Sequence, residues 1–407
     1  MQRLTELGNR IRQRWDNKGY AESELPEIAA AALADAQLDR TFDVAEFLGW
    51  FARQSSLPEQ TFGQFSDFPL QVFQSDRFYI ELLFWTNSTT TIHQHAFAGA
   101  FSVLAGSSVH TEWTFDLQQQ LHPEVCVGAL AQKKLELLTV GATRLIHPGK
   151  ALIHSLFHLE NPSITLVVRT PGLPSAMPQW DYCAPFGERG VAFRPQLDPV
   201  FERKRQCLTM LAASGSRAIE PFIADTVEGT DDAIQLAKLL VTASMLLPDA
   251  SRLAGLFEQV RARFGSIVDL IGAVAKESHR LALLEGARKI FIGGPAARQL
   301  DPGVAFFFGL LMNVRSRSQL IELCARRYPN EPPASLVARW ARAVVAVAPH
   351  AFGTPMSEDG LVVLERLVSG ESIRQIATTP ETARACQALV DAPALRGLLW
   401  DARLAAA

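Results

Sequence analysis

The stretch "TTTIHQHAFAGAFSVLAGSSVH", Thr89 to His110, decides how this chain is read. In a strand, residues two apart project to the same face, so an extended "TIHQH" presents His93 and His95 side by side. The threonines before them favour extension, because β-branched side chains fit a pleated surface. "LAGS", Leu104 to Ser107, has the look of a hairpin turn. The stretch also belongs to a crowd: seven of the nine histidines lie between His93 and His158. Two imidazoles on one strand can share a metal ion, with a third ligand from a neighbouring strand. His110, His122, His147, His154 and His158 are the candidates. A His-x-His pair alone is read equally well as two ordinary strand histidines, each with one hydrogen bond.

The texture around this stretch is β. From residue 61 to 175, short segments such as "FYIELLFW", "ALIHSLFHL" and "SITLVVRT" are punctuated by Gly, Pro, Asn and Ser, as in a sandwich or barrel. Residues 1–60 read as helical: Leu4, Leu7, Ile11 and Trp15 recur at helical spacing, and Asp43 is a good cap for "DVAEFLGWFARQ". A Pro/Gly-rich connector covers 176–196. Residues 197–407 return to helical spacing, as in "DAIQLAKLLVTASMLL" and "SLVARWARAVVAVA". The expected class is therefore α+β and multidomain, with short N-terminal helices, a β-barrel and a large all-α C-terminal domain.

Composition narrows the function. The chain has 407 residues, 48% apolar and 20% charged, with a net charge of −3. That offers no electrostatic footprint for nucleic acid or an anionic membrane. Five scattered cysteines without a CxxC pair argue for a reducing compartment. The N-terminus carries no signal-type apolar stretch, and "VAFFFGLLMNV" is too short to span a bilayer. A cytoplasmic location is expected. "SGESIRQIATTPETARACQAL" has a helix-turn-helix rhythm without a basic stripe, which makes DNA binding a minority reading.

"TTTIHQHAFAGAFSVLAGSSVHTEW" followed by "HPGKALIHSLFHLENPSITLVVRTP" resembles the two histidine motifs of the cupin superfamily. It is most similar to the cysteine dioxygenase (thiol dioxygenase) branch: Trp85 opens "WTNSTTTIHQH", Val103 to Gly106 gives the hairpin, and His154 the third histidine. The resemblance covers about Phe78 to Pro171. It implies a cupin double-stranded β-helix, a jelly-roll barrel, with His93, His95 and His154 as metal ligands. Gly99 stands where many cupins place a glutamate ligand, and the thiol dioxygenases also lack that glutamate. A site of three neutral histidines keeps the full charge of iron(II) and leaves positions open for an anionic chelating substrate and O₂. Iron(II) is the implied cofactor, ahead of zinc, nickel or manganese, with O₂ as co-substrate and a thiol or enolate as substrate.

The pattern also departs from that branch. No arginine stands near Phe68, where its carboxylate-binding arginine would fall; Arg77 is the nearest basic residue, and Arg144 and Arg169 are others placed to reach the pocket. Its Ser-His-Tyr relay would fall on Thr165, Val167 and Arg169, so the histidine and tyrosine are missing. An arginine there can pair with a substrate anion or simply end a strand. Tyr79 and Glu81 alternate on one strand and are candidates to line the interior. Glu112 is read as a general base or a solvent-facing residue. His158 is read as a support that orients His154 or a strand. His279 and His350 read as ordinary residues of helical surroundings. The leading expectation is an iron(II)-dependent oxygenase, carried over from the resemblance. The alternatives are a non-catalytic metal-binding sensor with a helical partner-binding domain, and a metal-dependent isomerase or hydrolase. A homodimer or a protein partner is expected to use the helical half.

Overall fold

The computed structural model describes residues 2–60, 65–86, 89–122, 125–172, 179–183, 190–193, 199–246, 250–265, 267–292, 301–353, 356–399 and 401. They form two compact units. The first comprises 1–113, 132–179 and 286–407; the second comprises 114–131 and 180–285.

The first unit begins with α1 (Gln2–Asp16), α2 (Leu25–Ala36) and α3 (Val44–Phe51). Asp43 caps α3 by accepting from the backbone N–H of Glu46 at 2.7 Å, as its position in the sequence suggests. The β region follows: β1 (Phe68–Gln74), β2 (Tyr79–Trp85), β3 (Ile92–His95), β4 (Gly99–Ala105), β5 (Ser108–His122), β6 (Val125–Leu138), β7 (Thr143–Ile146), β8 (Gly149–His158) and β9 (Ser163–Arg169). One sheet runs β1-β2-β9-β4-β7. The other contains the run β6-β5-β8-β3. From β3 to β9 the chain passes back and forth between the two sheets. All the registered pairings are antiparallel. That is the double-stranded β-helix arrangement, a jelly roll.

Burial on both faces explains why the strands read as nearly continuous apolar runs. On β2, Ile80, Leu82 and Phe84 join the core shared with Leu7, Ile11, Leu25 and Leu33 of the N-terminal helices. Their neighbours Leu83 and Trp85 point the other way, into a second core with Phe101, Val103 and Val167. Strands covered on both faces lose the clean polar alternation of a half-exposed sheet.

Helices also close the other end of this unit's sequence. The second unit's helices precede them in the chain: α4 (Pro199–Ala213), α5 (Ile219–Glu228), α6 (Ala233–Leu246) and α7 (Ala250–Phe264) share a core that includes Phe201, Leu208, Ile223, Leu239 and Val260. The boundary between the units falls within α8 (Ile267–Ile292). In the second unit β10 (Asp181–Cys183) pairs with β11 (Gly190–Phe193), and β11 pairs with the first residues of β6, Val125 to Gly128. The helices read from 197 onward thus fall into both units.

Back in the first unit stand α9 (Gly303–Asn313), α10 (Arg317–Arg327), α11 (Pro333–Val347), α12 (Glu358–Ser369), α13 (Ile373–Ile376) and α14 (Pro380–Asp391). "VAFFFGLLMNV" is α9, a buried helix packed directly on the barrel. A Cβ added at Gly309 would come within 3.2 Å of Val109, Phe157 and Leu159. Arg327 of α10 reaches the barrel too, donating to Ser107 Oγ at 2.9 Å and to Glu160 Oε1 at 2.7 Å. Among the described residues no helix is long and apolar enough to cross a membrane.

Candidate metal centre

Strand pairing assembles the centre. In the β3–β8 register His93 lies opposite His154, and a register shift between Gln94 and His95 follows. All three histidines are buried, at no more than 3% exposure. Their ligand atoms lie within 4.8 Å of one another. His95 Nε2 and His154 Nε2 are 2.9 Å apart. His93 Nδ1 lies 2.8 Å from the Thr91 carbonyl, which can only accept, so Nδ1 carries the hydrogen and Nε2 is left with its lone pair. That Nε2 is buried without a hydrogen-bond partner. A buried nitrogen lone pair with no donor in reach costs free energy unless a ligand satisfies it. The residues present therefore fit a metal ion.

Electrostatics keep the three imidazoles in ligand form. Burial lowers all three pKa values below the ordinary histidine value, for His95 and His154 by a wide margin. Neighbouring imidazoles push those two down further, and Arg169 adds to the effect on His95; the Thr91 carbonyl partly offsets the effect on His93. Neutral imidazole is the form that binds metals.

No carboxylate can stand at position 99. A Cβ there would lie 1.9 Å from the Val168 carbonyl oxygen, because β4 and β9 approach closely where Gly99 pairs with Arg169. Among the described residues, the metal-capable group at this point contains histidine alone.

The histidines face a small cavity of about 30 Å³. Its walls include Phe97, Phe101, Trp85 and Val167, and its polar groups include Glu81, Thr165 and Arg169. The three positions where the relay was expected, Thr165, Val167 and Arg169, all line it. Thr165 Oγ1 accepts from Trp85 Nε1 at 3.1 Å. Arg169 is held over the ring of Phe97, 4.1 Å from its centroid, and 5.1 Å from that of Tyr79. Its Nη1 lies 3.2 Å from Glu81 Oε1. Arg169 Nε and Glu81 Oε1 are buried without hydrogen-bond partners. Burial raises the Glu81 pKa, and Arg169 opposes that shift.

The other candidates are placed differently. Tyr79 pairs in register with Arg169 but is not among the residues lining the cavity. Its hydroxyl pKa is raised by burial. Glu112 also lies outside the lining and sits near Lys133 and Lys134 at 3.9 and 4.0 Å. His158 stacks on Trp85, centroids 4.3 Å apart, and its Nδ1 is 2.9 Å from Ser108 Oγ. Burial, then Arg288, pushes its pKa down to about 3. It does not touch His154 through any hydrogen bond described. Arg77 lies exposed over the Tyr20 ring. His147 sits between β7 and β8, and His350 is exposed in a turn. The side chains of His122 and His279 lie outside the described residues.

Sequence reading missed one arrangement. His110 is fully buried, with Nε2 3.0 Å from His154 Nδ1 and Nδ1 3.0 Å from Glu136 Oε1. Arg144 does not line the cavity and binds Glu136 through Nε at 3.0 Å and Nη2 at 2.6 Å. Glu136 in "KKLELL" looks like the polar side of an exposed strand. Only the pairing of β5 with β8 and the neighbouring β6 brings it to the centre.

No family model matches this chain, and no curated protein does. The solved structures it resembles include an uncharacterized conserved protein with a double-stranded beta-helix domain from Klebsiella pneumoniae subsp. pneumoniae MGH 78578. That protein is 13% identical, with a TM-score of 0.19, over 30% of this chain and 95% of its own.

Proposed function

We propose that this chain is a non-haem iron(II)-dependent oxygenase acting on a small anionic chelating substrate, in the manner of the thiol dioxygenases. The observation that carries the reading is the convergence of three buried, neutral histidines, with no carboxylate in the group, on a cavity walled by aromatic and aliphatic side chains. His93, His95 and His154 would hold the metal. Iron(II) bound there would supply a Lewis-acidic, redox-active centre for a chelating thiolate or enolate and for O₂.

The chain's own residues define the rest. Phe97, Phe101 and Val167 exclude water and strengthen every polar contact inside. Arg169 Nε, lacking a partner, offers a donor to the far end of a substrate anion. Glu81 beside it offsets the buried guanidinium charge and restricts how far that charge can swing. Thr165, already an acceptor for Trp85, can offer its hydroxyl hydrogen to the cavity.

Oxygen consumption tests the reading. Protein loaded anaerobically with iron(II) is mixed with O₂ and a panel of small thiols and β-diketones. Uptake tied to oxidised product, and lost in His154→Ala, is expected. Turnover that persists under argon would point to isomerase or hydrolase chemistry. Bound iron with no turnover under either condition would favour a sensor.

A further inference from the structure

We propose that His110 and Glu136 form a positioning arm that fixes the tautomer of His154 and holds a negative charge behind it, with the His110 imidazole between. This role rests on the metal reading above, but its geometry stands independently. Glu136 is acceptor-only as a carboxylate, so the 3.0 Å contact requires the hydrogen on His110 Nδ1. In the neutral tautomer that this contact selects, His110 keeps a lone pair at Nε2. That lone pair faces His154 Nδ1 at 3.0 Å, which must supply the hydrogen. His154 Nε2 is left with its lone pair, in the same group of ligand atoms as His93 and His95. One hydrogen-bond chain thus fixes which nitrogen of His154 binds.

The carboxylate at the end of the arm is itself held in place. Burial raises the pKa of Glu136, but hydrogen bonds from His110, Arg144 and Lys134 outweigh it and carry the net shift far down. Arg144 grips both carboxylate oxygens, and Lys134 Nζ lies 2.9 Å from Oε1. His110, Glu112 and Glu136 also lie close enough together to suggest a second metal site, but cations compete for it. Lys134 and Arg144 already occupy the Glu136 oxygens. The arm differs from the direct carboxylate–histidine support common at metal sites in having a second imidazole between the two. A hydrogen-bond acceptor behind a ligating imidazole raises its basicity, and loss of such support typically costs about 10–100-fold in metal affinity.

Three variants separate the parts of the arm. His110→Phe fills the space but removes both contacts. His110→Gln keeps an acceptor and a donor on one planar group. Glu136→Gln keeps an acceptor for His110 and removes the charge. Two measurements apply: ¹⁵N-edited NMR of the histidine side chains in the metal-free protein, and cobalt(II) affinity with the visible spectrum of the bound ion. Wild type should show His154 protonated on Nδ1. His110→Phe should show a mixture of tautomers and bind cobalt(II) about 10–100-fold more weakly, with a shifted spectrum. His110→Gln should restore most of both, and Glu136→Gln should fall between. If wild-type His154 carries its hydrogen on Nε2, or if His110→Phe binds cobalt(II) with wild-type affinity and spectrum, the arm is overturned while the metal site stands. If His110→Phe does not fold, the wild-type tautomer and the His110→Gln and Glu136→Gln affinities decide the question. If wild type binds no cobalt(II), the metal reading fails and this role fails with it.

Discussion

At the scale of single residues, two positions decide what the cavity can hold. Gly99 is a packing requirement before it is a missing ligand. Its Cβ position is taken by the Val168 carbonyl, so Gly99→Ala must push β4 from β9. The expected cost is about 1–3 kcal/mol, measured by urea unfolding, because overpacked cores pay for shifted backbone. Wild-type stability in that variant would contradict the close approach. Arg169 is the second position. If Arg169 Nε binds the far end of a substrate anion, Arg169→Gln removes a charge-assisted hydrogen bond worth about 1.5–3 kcal/mol. KM for anionic substrates should then rise roughly 10–100-fold with kcat changed less, whereas an equal KM for charged and neutral substrates in wild type would argue against the contact. The sequence made both residues visible, since a glycine and an arginine stood out against the pattern of the resemblance. It could not show that Glu81 sits 3.2 Å from Arg169, because that neighbour depends on the register of β2 with β9.

At the scale of elements, the β region was legible and its partners were not. Turn residues and β-branched runs mark β2, β4, β8 and β9 directly. The face each strand offers was harder to read, since N-terminal helices bury the outer face and hide the alternation. Helix α9 shows the same difficulty: its apolar run was read for membrane length, whereas Gly309 seats it against β5 and β8 and its phenylalanines pack on Phe291, Trp340 and Phe352. Arg327 of α10 pins the turn between β4 and β5 to the turn after β8, through Ser107 and Glu160. The pair is partly exposed, so Arg327→Ala should lower stability by no more than about 1 kcal/mol. The metal affinity should be unchanged, because the contact lies away from the histidines. A large drop in affinity would mean that α10 positions the centre.

At the scale of the whole molecule, the histidine crowding becomes a pH-dependent stability. His158 has its pKa pushed down to about 3 when folded, against roughly 6.5 when unfolded. The unfolded chain therefore gains a proton first as pH falls. Stability is full above about pH 6.5 and is lost as pH drops toward 3. At pH 5 this residue alone should cost about 2 kcal/mol, and the three lowered metal-site histidines add in the same direction. Unfolding of metal-free protein at pH 7.5 and pH 5 should show the loss, and His158→Phe should reduce it; a flat profile would contradict neutral buried histidines. The division of the chain into two units was not visible beforehand, because helices of similar texture fall on both sides of it and β5 and β6 run through both. The central claim concerns one point in the first unit. Metal analysis of protein purified without chelator tests it most directly: about one equivalent of a transition metal is predicted, lost in His93→Ala and His154→Ala variants that keep the fold. Metal at trace level in wild type, or one equivalent that survives both substitutions, would contradict it.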